Sequence, residues 1–304
     1  MPDDIAVRVH IVPFRSTGVW RRIIDMCSVA LRRADLVHIS GDIHFVALGL
    51  RKRRTVLTVH DCGTANPRTT GAVAQRIYRS VWLRWPAKRA GRVVAVSDFT
   101  ANELAAITGV PRAEIAVIPT SIDDAFVPAP PPSNPRPVVL CFGQVANKNA
   151  PRIIEAVTGM DVHLNVVGRL PEATLALLAS SGLSFTNRSG LSDTELAQWY
   201  AQADVVAFPS TYEGFGMPIV ERQATGRPVV TSARAPMDEV AGGAACLVDP
   251  EDVASIRAGI ERVLQDRGYR DELIAAGYVN RERFRPAEQA RQYAEIYREM
   301  AKGT

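Results

Sequence analysis

The sequence predicts an α/β protein of two doubly wound, parallel-sheet domains, and three observations carry that prediction. Short apolar runs alternate with amphipathic helical stretches along nearly the whole chain, as in a parallel sheet covered on both faces. One proline-rich break, Pro128-Ala129-Pro130-Pro131-Pro132-Ser133-Asn134-Pro135, interrupts the alternation. The chain has 304 residues, the length of two domains of about 150 residues each.

In the first domain, residues 1–127, strands are expected over 7–12, 36–39, 55–59, 93–96 and 115–118. Gly18-Val19-Trp20 opens a helix running to Arg32, and further helices fit 71–89 and 99–107. The prolines of 128–136 forbid both helix and central strand, so this segment reads as a semi-rigid linker. The second domain, 137–285, has strands over 137–142, 162–167, 184–186, 204–208, 228–231 and 246–248. Its helices are expected over 151–157, 172–179, 193–202 (with Ser192 as N-cap), 218–224, 250–265 and 268–279. A last helix covers 286–302. Two such domains place a ligand cleft between facing strand ends.

Hydrophobic residues at 47% and charged ones at 22% exclude a disordered or collagen-like chain. No stretch approaches the roughly 20 apolar residues of a membrane helix. The opening Met1-Pro2-Asp3-Asp4 is no secretory signal, so a cytoplasmic location is expected. Cys27, Cys62, Cys141 and Cys246 stand singly, without metal-ligand spacing, as buried thiols of a reducing compartment do. Charge is uneven: residues 1–135 hold 18 Lys and Arg against 11 Asp and Glu, and 136–304 hold 18 against 21. The basic half suits an anionic partner, a nucleic acid or a membrane surface, or is an idle basic surface. Within 76–92, Arg76, Arg79, Arg84, Lys88, Arg89 and Arg92 occur without one acid. Trp82 and Trp85 are three apart, hence on one helix face. Peripheral contact with an anionic membrane is one reading; the other packs the aromatics into the core and solvates the arginines.

The chemistry concentrates in Phe208-Pro209-Ser210-Thr211-Tyr212-Glu213-Gly214-Phe215-Gly216-Met217-Pro218-Ile219-Val220-Glu221. A strand ends at Phe208, a two-glycine loop follows, and Pro218 stands where a first helical turn tolerates proline. The amides of Phe215, Gly216 and Met217 then project from a helix N-terminus, which favours anions and hydroxyl oxygens. Glu213 before the turn and Glu221 inside the helix are placed to accept hydrogen bonds from vicinal hydroxyls. On this fragment alone a merely solvated Glu221 is an equal reading.

Glu213 and Glu221, with seven residues between them that include Gly-Phe-Gly-Met-Pro, resemble the donor motif of retaining glycosyltransferase family 4. Residues 203–210 and 224–230 flank it in the family manner. Val96-Ser97-Asp98-Phe99-Thr100 and Val117-Ile118-Pro119-Thr120-Ser121-Ile122-Asp123 match in the first domain. The resemblance is nearly complete from 55 to 265 and thin before that. It implies a GT-B fold, two Rossmann-like domains around a cleft, with the donor on 136–304, the acceptor on 1–135, and 286–302 crossing back to the first domain.

By this resemblance Glu221 holds the ribose hydroxyls, Glu213 meets the donor sugar, and Phe215, Gly216 and Met217 hold sugar and diphosphate. Arg188, Gly190 and Leu191 wrap the base through main-chain groups. Family members place an arginine just after the glycine that stands here as Gly143, and a lysine further on. This chain has Gln144 in the first place and Lys148 in the second, so Arg152 and Arg169 are candidates for the missing cation. Thr17 and Gly18 resemble the phosphate loop, here reduced to one glycine. His60 falls where members have a histidine near the donor sugar, with Asp61 on the acceptor side. A lone histidine, taken by itself, is more often structural.

The activity implied is metal- and cofactor-free retaining transfer of a hexose from a nucleotide-diphosphate sugar to a glycan, lipid-linked or small-molecule hydroxyl, as in polysaccharide biosynthesis. The pattern leans to mannosyl-type members, and no nucleic-acid partner is implied. The alternatives are a sugar-nucleotide epimerase on this fold and a non-catalytic nucleotide-sugar-binding module.

Overall fold

The structure, a computed structural model, describes residues 1–14, 18–63 and 72–302, with 72–74 described by backbone alone. The chain divides into two compact units, Met1–Thr120 with Pro286–Thr304, and Ser121–Arg285.

The first unit holds a four-stranded parallel sheet, β1 (Val37–Ile39), β2 (Thr55–Val59), β3 (Arg92–Ala95) and β4 (Ile115–Val117), paired in chain order. β2 is buried along its whole length, as a strand covered on both faces must be. One cluster, including Phe45, Leu57, Leu83, Val93 and Leu104, packs against one side of the sheet. Val56, Val94, Tyr293 and Ile296 form the other, so the helix Pro286–Lys302 closes the second side.

The strand expected over 7–12 is not formed. His10 instead contacts Ser28 at 3.3 Å, and the Phe14 amide donates to Asp25 Oδ1 at 3.1 Å. The segment is therefore fastened to side chains of the helix Val19–Ala30 instead of to a ladder. The helix expected over 71–89 is also interrupted, into Ala72–Tyr78, a π-helical turn Arg79–Arg84 and Trp85–Arg89. Trp82 is 5% exposed, 5.5 Å from the Tyr78 ring and 5.3 Å from Phe45, and donates Nε1 to Asp42. Trp85 stays 54% exposed. The wider π turn separates the two indoles, so they do not share a face.

The second unit has six parallel strands: β5 (Val138–Phe142), β6 (His163–Val167), β7 (Ser184–Arg188), β8 (Val205–Phe208), β9 (Val229–Ser232) and β10 (Cys246–Val248). Their order is β10-β9-β8-β5-β6-β7. The chain builds outward from β5 to β7, returns beside β5 as β8, and builds the other way. The reversal between β5 and β8 is a topological switch point, where the loops leaving two neighbouring strands part and leave a crevice. Residues 128–136, expected as a linker, are bound into this unit. The Ala129 amide donates to Thr225 O, Arg227 to Pro130 O, and Asn134 Nδ2 to Asp204 Oδ2 at 2.7 Å. The division accordingly falls at Thr120.

Of the four cysteines, Cys62, Cys141 and Cys246 are buried and Cys27 is exposed. Burial pushes the Cys62 and Cys141 thiols up to about 12, so neither is a nucleophile at neutral pH. No helix among the described residues is long and apolar enough to cross a membrane.

Candidate active site

The loops leaving β5 and β8 meet at the switch point. Gly143 follows β5 close against Leu170: a Cβ there would lie 2.1 Å from Leu170 Cδ2, so that side chain would have to move to admit one. The chain then turns through Ala146–Lys148 to Asn149, which takes the left-handed conformation (φ 64°) and opens the helix Ala150–Val157. Two asparagines lock this turn to the β8 loop. Asn147 Nδ2 donates to Tyr212 O at 2.7 Å, while its carbonyl accepts from the Thr211 amide at 2.9 Å. Buried Asn149 donates to Pro209 O and Pro250 O at 3.0 and 2.6 Å. Neither asparagine had a role assigned from sequence. For Asn149 the available signal is an asparagine two residues before the helix expected at 151, since this residue tolerates left-handed backbone.

This lock brings Lys148 Nζ to 2.7 Å from Glu213 Oε1, with the ammonium 4.7 Å above the Phe208 ring. The pair is largely shielded, at 19% and 13% side-chain exposure, so its charges are less screened than a surface pair. Gly216 then caps the helix Met217–Thr225 at φ 103°, with Pro218 in its first turn. Within the first turn Pro218 has no amide hydrogen and the Ile219 amide donates to Gly216 O at 2.9 Å, so it is the amides up to Met217 that are placed to meet an anion here, beside a cation. Phe215 is buried edge-on against Phe284 at 5.6 Å, which fixes the loop between Glu213 and the helix.

Glu221 lies one turn into that helix. It accepts hydrogen bonds from Tyr200 Oη at 2.9 Å and Arg222 Nη2 at 3.1 Å. Burial pushes its carboxyl up to about 7, helped by the negative charges of Asp193 and Asp123 and opposed by Lys148. Arg222 is fully buried, stacks on Tyr200, and has no partner for Nη1 among the described residues; sequence reasoning passed over it because an arginine in a helix usually reads as solvated.

The candidate cations separate. Arg152 Nη1 donates to Asn149 Oδ1 at 2.9 Å, a structural tie to the turn. Arg169 is exposed just after β6, with no hydrogen bond or ion pair among the described residues. Gln144 lies across Gly168, whose missing Cβ would be 2.3 Å from Gln144 Cγ. Arg188 reaches Glu195 only at 3.9 Å, while its carbonyl accepts from the Gly168 amide at 2.7 Å. Gly190 has φ 73°, and half-buried Leu191 precedes Ser192, the N-cap of the helix Asp193–Gln202.

The remaining expected residues belong to the first unit. His60 follows β2, is exposed, and contacts Ser40 Oγ through Nε2 at 3.1 Å. Its pKa is lowered by desolvation, against the pull of Asp61. Asp61 Oδ1 accepts from the Gly63 amide at 2.8 Å. Gly18 precedes the helix Val19–Ala30 with φ 84°; Thr17 lies outside the described residues. Among the described residues, no three His, Cys, Asp or Glu gather as a metal site would need.

Known proteins resemble this chain in sequence and in fold. The family profile "Glycosyl transferases group 1" matches residues 136–266, and "Glycosyltransferase Family 4" matches residues 3–126. The MMP alpha-(1->4)-mannosyltransferase of Mycolicibacterium hassiacum is 31% identical over 230 residues, 69% of this chain and 56% of that protein. The chain thus spans little more than half of that relative's length. Among solved structures, Anabaena HepE in complex with UDP and glucose superposes with a TM-score of 0.77 at 19% identity. It covers 92% of this chain, which spans 81% of that one. Sucrose-phosphate synthase from Thermosynechococcus elongatus gives 0.76 at 20% identity, over 93% of this chain and 78% of that one.

Proposed function

The chain belongs to the group 1, family 4 glycosyltransferases and has their GT-B fold, and on that premise we propose that it is a retaining, metal-independent hexosyltransferase. Its donor is a nucleotide-diphosphate sugar, a mannosyl donor before others, since a mannosyltransferase is among its relatives. The acceptor is the hydroxyl of a glycan, a lipid-linked sugar or a small molecule. The observation that carries the reading is the shielded Lys148–Glu213 pair at the switch point, beside the helix N-terminus at Gly216.

The chemistry follows from those groups. As the glycosidic bond breaks, negative charge grows on the diphosphate, and Lys148 with the amides after Gly214 stabilises it without needing to reorganise. Glu213, next to Lys148, accepts hydrogen bonds from sugar hydroxyls on the carbon skeleton that becomes cation-like. Glu221 takes the ribose hydroxyls, contacts that change little during reaction. The acceptor hydroxyl attacks from the face the leaving group departs, and a donor phosphate oxygen takes its proton, so no side-chain base is required. Arg169, uncommitted after β6, is the better candidate for the cation that Gln144 does not supply; Arg152 is already engaged by Asn149. His60 contributes a hydrogen bond to the sugar, as neutral imidazole.

The test is a panel of GDP-, UDP-, dTDP- and ADP-sugars, with and without chelator, following sugar release and anomeric configuration. Release from one donor with the α-configuration kept and no effect of chelator is expected. Isomerised donor with no release would make the protein an epimerase. Binding without turnover would make it a binding module, the reading that Gln144 favours. Activity lost to chelator and restored by magnesium or manganese would overturn the metal-free step.

A further inference from the structure

The helix Val19–Ala30 has apolar residues on both its faces. Inward, Val29 and Met26 pack into the core of the first unit beside fully buried Asp25, and Arg22 is half-buried with its guanidinium 4.5 Å over the Trp82 ring. Outward, Val19 is 68% exposed, Trp20 79%, Ile24 48% and the following Leu31 83%. Residues 20, 24, 27 and 31 are spaced by three and four, so they form one continuous stripe. The chain before it adds to the patch. Val9 and Ile11 are 87% and 84% exposed in the segment that His10 and Phe14 fasten alongside this helix. Isolated exposed apolar residues need no explanation, but a contiguous patch of this kind marks an interaction surface.

Charge selects the occupant. In residues 18–34 the cations are Arg21, Arg22, Arg32 and Arg33, and the only acid, Asp25, is buried. Arg22 ties the helix to the turn Arg79–Arg84, which begins and ends in exposed arginine and lies in an acid-free stretch. A second copy of the chain would set these arginines against themselves. A surface with a negative outer layer and an apolar interior accepts both features. We propose that the helix Val19–Ala30 is an interfacial docking helix for anionic lipid bilayers, with Trp20, Ile24 and Leu31 entering the headgroup layer and Arg21, Arg32 and Arg33 meeting lipid phosphates. Trp82, in the core, takes no part. This inference stands independently of the transfer reaction, since it uses none of the residues at the switch point.

The experiment is vesicle sedimentation of the full chain. Binding to phosphatidylglycerol-containing vesicles at low salt is expected to exceed binding to pure phosphatidylcholine by roughly tenfold or more and to weaken at high salt. The double variant Trp20→Glu/Ile24→Glu, at exposed positions, should lose that binding with its unfolding midpoint unchanged. Arg32→Glu/Arg33→Glu should lose most of it. Three results overturn the proposal: no pelleting with anionic vesicles at low salt, equal binding by the Trp20→Glu/Ile24→Glu variant, or a concentration-dependent dimer abolished by that variant in a protein that ignores lipid. In the last case the patch belongs to a second copy.

Discussion

Glu221 combines two demands that conflict, burial and a negative charge for hydroxyl donors to meet. Its carboxyl, pushed up to about 7 by burial and by Asp193 and Asp123, is part protonated at neutral pH, and only the carboxylate offers two full acceptors. Affinity for a nucleotide sugar, whose diphosphate does not titrate in this range, should therefore rise as pH rises through 7. Calorimetric titration from pH 6 to 8.5 checks this, and Glu221→Gln should flatten the slope. An unchanged slope in that variant would remove Glu221 from the ribose. The two carboxylates should also separate kinetically: Glu221→Ala weakens binding, whereas Glu213→Ala mainly lowers turnover, because uniform binding shows in affinity and transition-state binding in rate. Lys148→Ala should cost about 2–4 kcal/mol of transition-state stabilisation, the range of other preorganised charge stabilisers. Arg169→Ala should lower turnover as well, while Arg152→Ala should lower the melting temperature through Asn149; the reverse pattern would assign the second cation to Arg152.

At the scale of elements, the site is the junction of two strand ends with one helix start, and that junction depends on Gly216. Its φ of 103° is a region other residues avoid, and a Cβ would approach Ile219 Cδ1 at 3.1 Å. Gly216→Ala should destabilise the second unit by about 1–3 kcal/mol and weaken donor binding, read from urea midpoints and calorimetry; unchanged binding would mean the helix N-terminus does not hold the donor. The junction was legible in the sequence because its parts are local: an apolar strand ending at Phe208, glycines, then Pro218. Strands β5, β6, β8, β9 and β10 were legible for the same reason, being short, mostly apolar runs between turn residues, whereas β7, Ser-Phe-Thr-Asn-Arg, is a polar and largely exposed edge strand. What escaped depends on partners distant in sequence. Trp82 turns inward because Asp42, Phe45 and Tyr78 surround it and a π turn changes the helical phase. The segment 7–12 alternates apolar and polar residues as far as Ile11, yet Ser28 holds it at His10, and Asp25 holds the chain just after it at Phe14. Asn149 and Arg152 lock two loops sixty residues apart in sequence, and no local pattern encodes such a tie.

Across the whole chain, the first unit is completed by the last helix. His38 Nδ1 meets Tyr297 Oη at 2.6 Å, its Nε2 meets Thr58 Oγ1 at 2.7 Å, and Thr58 meets Tyr293 Oη at 2.9 Å. Gln289 donates to Pro119 O, and Arg92 pairs with Glu299. This clasp holds a neutral imidazole: burial pushes His38 down to about 4, with the His60 charge adding to it. The unfolded chain binds that proton near pH 6.5, so between pH 6.5 and 4 the unfolded state carries more protons and the first unit loses stability as pH falls, by about 3 kcal/mol. Glu221 acts in the opposite sense. Its raised value means the folded second unit holds the extra proton between pH 4.5 and 7, so that unit gains stability as pH falls through the same window. Surface pairs such as Glu288 with Arg291, whose carboxyl is held down at about 2, respond only below the ordinary carboxylate range and do not blur this contrast. The two units should therefore part company in mild acid. Hydrogen exchange read peptide by peptide from pH 6.5 to 4.5 should show protection falling in β1, β2 and the helix Pro286–Lys302 while it holds or rises around β8 and the helix Met217–Thr225. His38→Gln should lessen the fall in the first unit, leaving the share that His44 and His60, both also lowered by desolvation, contribute, and should leave the second untouched. Parallel behaviour of both units, or a fall undiminished in His38→Gln, would mean that the clasp is not what acid releases.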